Sequence, residues 1–105
     1  MSNPMICTTT MPDMDSAKKM ARELVEGRVA ACVQLMPINS IYRWNGKIED
    51  ENEILLICKS PSYHRETLEN AILERHPYEV PQILFFQGEG YPPYFDWMEK
   101  SIMEG

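Results

Sequence analysis

Glycine is scarce in this chain, with five residues at 27, 46, 88, 90 and 105, and none opens a helix directly after a strand. That excludes a glycine-rich phosphate loop of either common kind. Histidine is scarcer, with only His64 and His76 to serve as a base for a nucleophile, and His64 reads as solvated in the first turn of a helix. Nothing predicts turnover, and a non-enzymatic protein is expected. The three cysteines, Cys7, Cys32 and Cys58, are odd in number and form no CxxC, which fits reduced thiols rather than a disulfide frame. Positive charge is in the minority: 10 Lys and Arg against 16 Asp and Glu give a net charge of −6. A counterion-release grip on nucleic acid is thereby excluded. No apolar run approaches the roughly 20 residues of a membrane span. The opening stretch MSNPMICTTT lacks the basic-then-apolar plan of a signal peptide, so a cytoplasmic protein with no membrane partner is expected. Repeats, linkers and low-complexity segments are absent, and 105 residues are expected to form one domain, 1–105, able to bury a core without staples.

What is present centres on residues 28–60. Two runs rich in β-branched, aromatic and aliphatic residues flank Asn45-Gly46, and Trp44-Asn45-Gly46-Lys47 is the strongest hairpin signal in the chain. An unbroken strand from Val29 to Trp44 reaches ~53 Å at ~3.3 Å per residue, whereas a compact chain of this size is only about 33 Å across. The hairpin therefore has to leave its own globule. Pro37 removes a ladder donor, so a bend there into a proximal and a distal arm is expected. Ile38, Ile41, Tyr42 and Trp44 then stand on an arm that is marginal in water by itself. Pairing with other copies of the chain is the expected remedy.

The rest supplies a layer to pack on the hairpin. Met5 to about Thr10 reads as a strand stopped by Met11-Pro12. Asp13 offers an N-cap to a helix in which Met14, Ala17, Met20, Ala21, Leu24 and Val25 form the inward face, and Gly27 ends it. Ile54 to Cys58 is apolar without alternation, which predicts a central strand covered on both faces. Ser60-Pro61 reads as N-cap and first residue of a second helix with Leu68, Ala71 and Ile72 inward, closed by His76-Pro77. Ile83 to Phe86 reads as a buried fourth strand, and Pro92-Pro93 opens a last helix carrying Tyr94, Trp97, Met98 and Ile102. The order β-α-β-β-α-β plus a C-terminal helix is an α+β, ferredoxin-like split βαβ plan with a long protruding hairpin. RNA recognition on such a sheet is disfavoured, because MICTTT and EILLICKS lack base-stacking aromatics.

The candidate ligand groups are few. Cys7 and His76 are donors that suit copper or zinc, although a cysteine inside an apolar strand is more often a small buried hydrophobe. His76 shares an irregular loop with Tyr78 and Glu79, and Arg75 beside it repels a cation and favours an anion. The acids Glu49, Asp50, Glu51 and Glu53 read as a solvated face rather than a cation site.

The combination of AAC at 30–32, Y-x-W-x-G-K at 42–47, K-S at 59–60 and H-P-Y-E-x-P at 76–81 resembles the CutA family, the divalent-cation tolerance proteins, over nearly the whole chain. The resemblance implies a ferredoxin-like homotrimer whose long hairpins join in intersubunit sheets. It also implies a role in tolerance to copper and other divalent metals, with Cys7 and His76 as metal ligands and Arg75 where some members carry a second histidine. The family's trimer in turn resembles the PII signalling proteins. By that likeness Tyr42, Trp44, Lys59, His76, Tyr78 and Glu79 line an intersubunit cleft for a small anionic effector.

Overall fold

A computed structural model describes residues 3–103; the ends of the expected 1–105 domain, and Met1-Ser2 of the stretch read for a leader, lie outside the described residues. The elements are β1 (Pro4–Met11), α1 (Met14–Glu26), β2 (Cys32–Trp44), β3 (Lys47–Pro61), a 3₁₀ turn (Ser62–His64), α2 (Arg65–Arg75), β4 (Leu84–Gln87) and α3 (Pro92–Met103). The strands lie in the order β2-β3-β1-β4, each pair antiparallel. This is the expected ferredoxin-like order with its extra helix.

One face of the sheet packs on α1 and α2. Met5, Cys7, Met11, Leu56 and Cys58 meet Ala17, Met20, Leu24, Leu68 and Ile72 in that core. The Asp13 carboxylate accepts from the Ser16 N–H at 2.7 Å and starts α1 as expected. Val25, expected inward, is exposed, because its position one step past Leu24 turns it about 100° off the buried stripe. Gly27 caps the helix, yet the left-handed residue is Arg28, at φ 58°. At the other end of the sheet α3 sets Met98 and Ile102 on Ala31.

The hairpin is more regular than its sequence suggests. Asn45 and Gly46 both have positive φ, 50° and 76°, the backbone of a type I′ turn. From it the register runs unbroken from Trp44↔Lys47 to Cys32↔Lys59. Pro37 neither bends nor bulges the strand; it pairs with Ile54 in register. The reason is alternation. The Ser62 N–H bonds the Asn3 carbonyl at 2.9 Å, so β3 turns its even-numbered groups to β1 and its odd-numbered ones to β2. Opposite an even residue, Pro37 has its missing donor on the open outer edge. The strand starts at Cys32, not Val29, and the molecule still measures 45 × 25 × 22 Å.

Two boundaries differ from expectation. Ser60 and Pro61 stay in β3, because the Ser60 hydroxyl donates to the Val29 carbonyl at 2.9 Å and Pro61 is extended at ψ 148°. His64 is accordingly in the 3₁₀ turn, half-buried, with Nδ1 3.4 Å from the Val29 carbonyl rather than free in solvent. The fourth strand is not buried: β4 is a sheet edge, and Leu84 and Phe86 are about half exposed on the face away from α1 and α2, while Phe85 packs on the core. β3, between β1 and β2, is central as predicted.

Candidate functional site

Strand periodicity builds the site. Alternate residues of β3 share a face, so Glu49, Glu51 and Glu53 stand in a row, and the register sets Tyr42 opposite Glu49 and Ser40 opposite Glu51. Asp50 falls on the other face, where the Asn39 amide donates to it at 2.8 Å. The loop after α2 closes the other wall. His76 anchors that loop in one tautomer, its Nε2–H donating to the Thr10 carbonyl at 2.8 Å while Nδ1 accepts from the Tyr78 N–H at 3.1 Å. Tyr78 then reaches over, and its hydroxyl donates to Glu53 Oε1 at 3.0 Å. Between the walls lies a cleft of about 760 Å³ lined by Tyr42, Trp44, Glu49, Glu51, Glu53, Tyr78 and Glu79.

Its electrostatics are one-sided. Four carboxylates line it, and no lysine or arginine does among the described residues. Burial and the Glu53 acceptor push the Tyr78 phenol above its ordinary range, and partial burial with Glu51, Glu53 and Glu49 does the same to Tyr42. Both stay neutral donors at pH 7. Desolvation lowers the His76 pKa, against the opposing pull of the Thr10 carbonyl and Glu53, so the imidazole is neutral too. A cleft of this kind attracts cations and repels anions.

A family model described as the CutA1 divalent ion tolerance protein matches residues 5–101. The chain belongs to the CutA1 divalent ion tolerance family. It is 43% identical over 93 residues to the Protein CutA of Mus musculus, a match covering 87% of this chain and 52% of the mouse protein. The chain thus spans about half the length of that relative. The crystal structure of CutA from Xylella fastidiosa superposes with a TM-score of 0.92 at 37% identity, covering 96% of this chain and 99% of that one. The periplasmic divalent cation tolerance protein CutA of Archaeoglobus fulgidus does so with a TM-score of 0.91 at 30% identity, over 94% and 98%.

In this CutA chain the expected ligand residues are dispersed. Tyr42, Trp44, Tyr78 and Glu79 line the cleft, and His76 sits behind it as the strut of the loop. Lys59 is six residues from Glu53 along β3, roughly 20 Å at strand spacing, with its ammonium over the Tyr94 ring at 5.6 Å. Arg75 also leaves the cleft, its guanidinium bonded to Glu23 at 3.0 Å and to the Ala71 carbonyl at 2.8 Å. Cys7 is fully buried on the helix side of the sheet, and burial pushes its thiol pKa up to about 12. A copper ion shared between the two would need a free ring nitrogen, and both nitrogens of His76 are engaged. The pair as built does not fit the ion, and the described residues gather no group of three or more His, Cys, Asp or Glu about one point. Glu49, Glu51 and Glu53, set aside from the sequence as a solvated face, are the acids that line the cleft together with Glu79. Their signal was the two-residue spacing within a strand, hidden by the interposed Asp50 and Asn52.

Proposed function

We propose that this CutA chain is a non-enzymatic divalent-cation-binding protein of heavy-metal tolerance, and that the cation is drawn into the cleft by the combined field of Glu49, Glu51, Glu53 and Glu79, with Glu51 and Glu53 as its nearest oxygen donors. The observation that carries the reading is the charge of that cleft, four carboxylates with no cationic side chain to balance them. Carboxylates and neutral phenols are oxygen donors, and over such donors affinity rises along the first-row divalent series to copper(II). Copper(II) is therefore the ion held tightest. The names of its relatives, divalent cation tolerance proteins, support the same class of ligand. An anionic effector finds no support in this cleft, because Lys59 lies outside it and the field has the wrong sign.

The working form in this reading is a homotrimer. Ile41 and Ile48 are 68% and 60% exposed on the arm, and on the sheet face away from α1 and α2 Ile6 and Phe86 stand side by side next to Leu84, with Met36 further along, all exposed. Three copies that turn these faces together remove them from water. No helix among the described residues is long and apolar enough to cross a membrane. The Archaeoglobus relative is described as periplasmic, and we assign this chain to the cytoplasm on its three free thiols.

Calorimetric titration with copper(II) tests the site. Glu51→Gln with Glu53→Gln should weaken binding by about tenfold or more, since each removes a charged oxygen donor, whereas Cys7→Ser should leave the cleft carboxylates to bind. Equal affinity of wild type and the double glutamine variant removes the cleft from consideration.

A further inference from the structure

The register that pairs β1 with β3 sets Cys7 directly opposite Cys58. Both thiols are free and fully buried on the helix-covered face, in one cluster with Met5, Met11 and Met20. Neither belongs to the cleft. The kind of rung decides what such a pair can do. Asn3 and Ser62 mark a hydrogen-bonded rung, and such rungs recur every two residues, so Cys7 and Cys58 occupy one as well. Opposed Cβ atoms there stand about 5.5 Å apart. A disulfide needs roughly 3.5–4.5 Å. A metal bridge spans more, because two metal–sulfur bonds of about 2.3 Å put the sulfurs ~4.6 Å apart in a linear arrangement.

Charge then selects the ion. Two thiolates and a divalent cation make a neutral unit, whereas a monovalent ion leaves a net negative charge in an apolar core, and hard dications prefer oxygen. We propose that Cys7 and Cys58 form a two-coordinate dithiolate site for a thiophilic divalent cation of the mercuric class. Two S–H bonds break and two S–metal bonds form, two protons leave to solvent, and no oxidation state changes. Both thiols lie wholly inside the apolar core, where a lone thiolate is costly, so only an ion that bonds sulfur strongly enough to displace both protons is admitted. β1 and β3 are the inner strands of the sheet, so the ion enters as the sheet forms rather than through the closed fold. The two thiols stand on the sheet face opposite the carboxylate cleft.

The test is to refold the full chain from guanidinium with one equivalent of mercuric chloride and desalt it. Native mass spectrometry counts the bound ion, and X-ray absorption counts its sulfur neighbours. Wild type, Cys32→Ser and the Glu51→Gln/Glu53→Gln variant should each hold one mercury between two sulfurs. Cys7→Ala and Cys58→Val should lose the two-sulfur shell and retain mercury at least tenfold less well against a competing thiol. In loaded wild type, Cys7 and Cys58 should both resist alkylation in denaturant while Cys32 reacts, a reading that needs no variant to fold. Two sulfurs persisting in Cys58→Val, one sulfur with one nitrogen in wild type, or protection of Cys32 instead would each overturn the proposal.

Discussion

The Tyr78 hydroxyl donates to Glu53 Oε1 at 3.0 Å across 25 residues of chain, and this bond joins the loop after α2 to the root of the hairpin arm. Glu53 is only 8% exposed, so its carboxylate depends on that donor more than on water. Tyr78→Phe keeps the ring and deletes the donor. Leaving a buried charged acceptor short of a partner costs about 1–3 kcal/mol, and at ~4–8 °C per kcal/mol for a chain of this size the melting point should fall visibly in a calorimetric scan. An unchanged midpoint would mean the bond carries nothing.

Acid should loosen the same loop through His76. Its pKa is lowered in the folded chain, so below the ordinary value of 6.5 the unfolded state binds more protons than the folded one. Stability is therefore complete above pH 6.5 and is lost as pH falls from there toward the folded pKa. The structural reason is that Nδ1 must stop accepting from the Tyr78 N–H when it is protonated. Denaturant melts at pH 7.5, 6.5 and 5.5 should show the midpoint falling in wild type, and His76→Gln should flatten that part of the profile.

Sedimentation velocity checks the assembly. The wild type should sediment as three copies of the 12.2 kDa chain at micromolar concentration. Phe86→Glu places a charge on a side chain already half exposed in the single chain, so it should dissociate the assembly with little damage to the fold. A compact wild-type monomer under those conditions would end the homotrimer reading.

The hairpin turn offers a purely local test. A Cβ at Gly46 meets nothing within 4 Å, yet φ is +76°, so Gly46→Ala isolates backbone strain from packing. The expected cost is ~1 kcal/mol, read from urea melts at constant protein concentration.

How far the sequence carries can be judged from particular residues. Asn45-Gly46 fixed the hairpin because few dipeptides tolerate two positive φ values, and Asp13 fixed the start of α1 because its carboxylate has an orphan N–H to meet. Pro37 misled, since a missing donor distorts a strand only when it points at a neighbour, and which way it points depends on the β1–β3 ladder far along the chain. Leu84 to Phe86 misled as well: an apolar run records that both sides shun water, not that the same chain covers both. The glutamates of β3 were discounted as a charge run because their common face appears only once the strand is paired. His76 was noticed for its chemistry, while its two hydrogen bonds, to Thr10 and Tyr78, make it a structural strut, and no spacing in the sequence announces the first of them.

The proline on the outer edge of β2 has one further effect. Residues 33, 35, 39, 41 and 43 offer outward N–H groups along that margin, and position 37 offers none. An incoming strand that settles there must place an acceptor it can leave unsatisfied against the blank position, and sliding by two residues moves the mismatch onto a different carbonyl. One ring in the middle of a uniform edge thus acts as a notch, giving the margin a single favoured alignment where an unmarked row of donors would accept several.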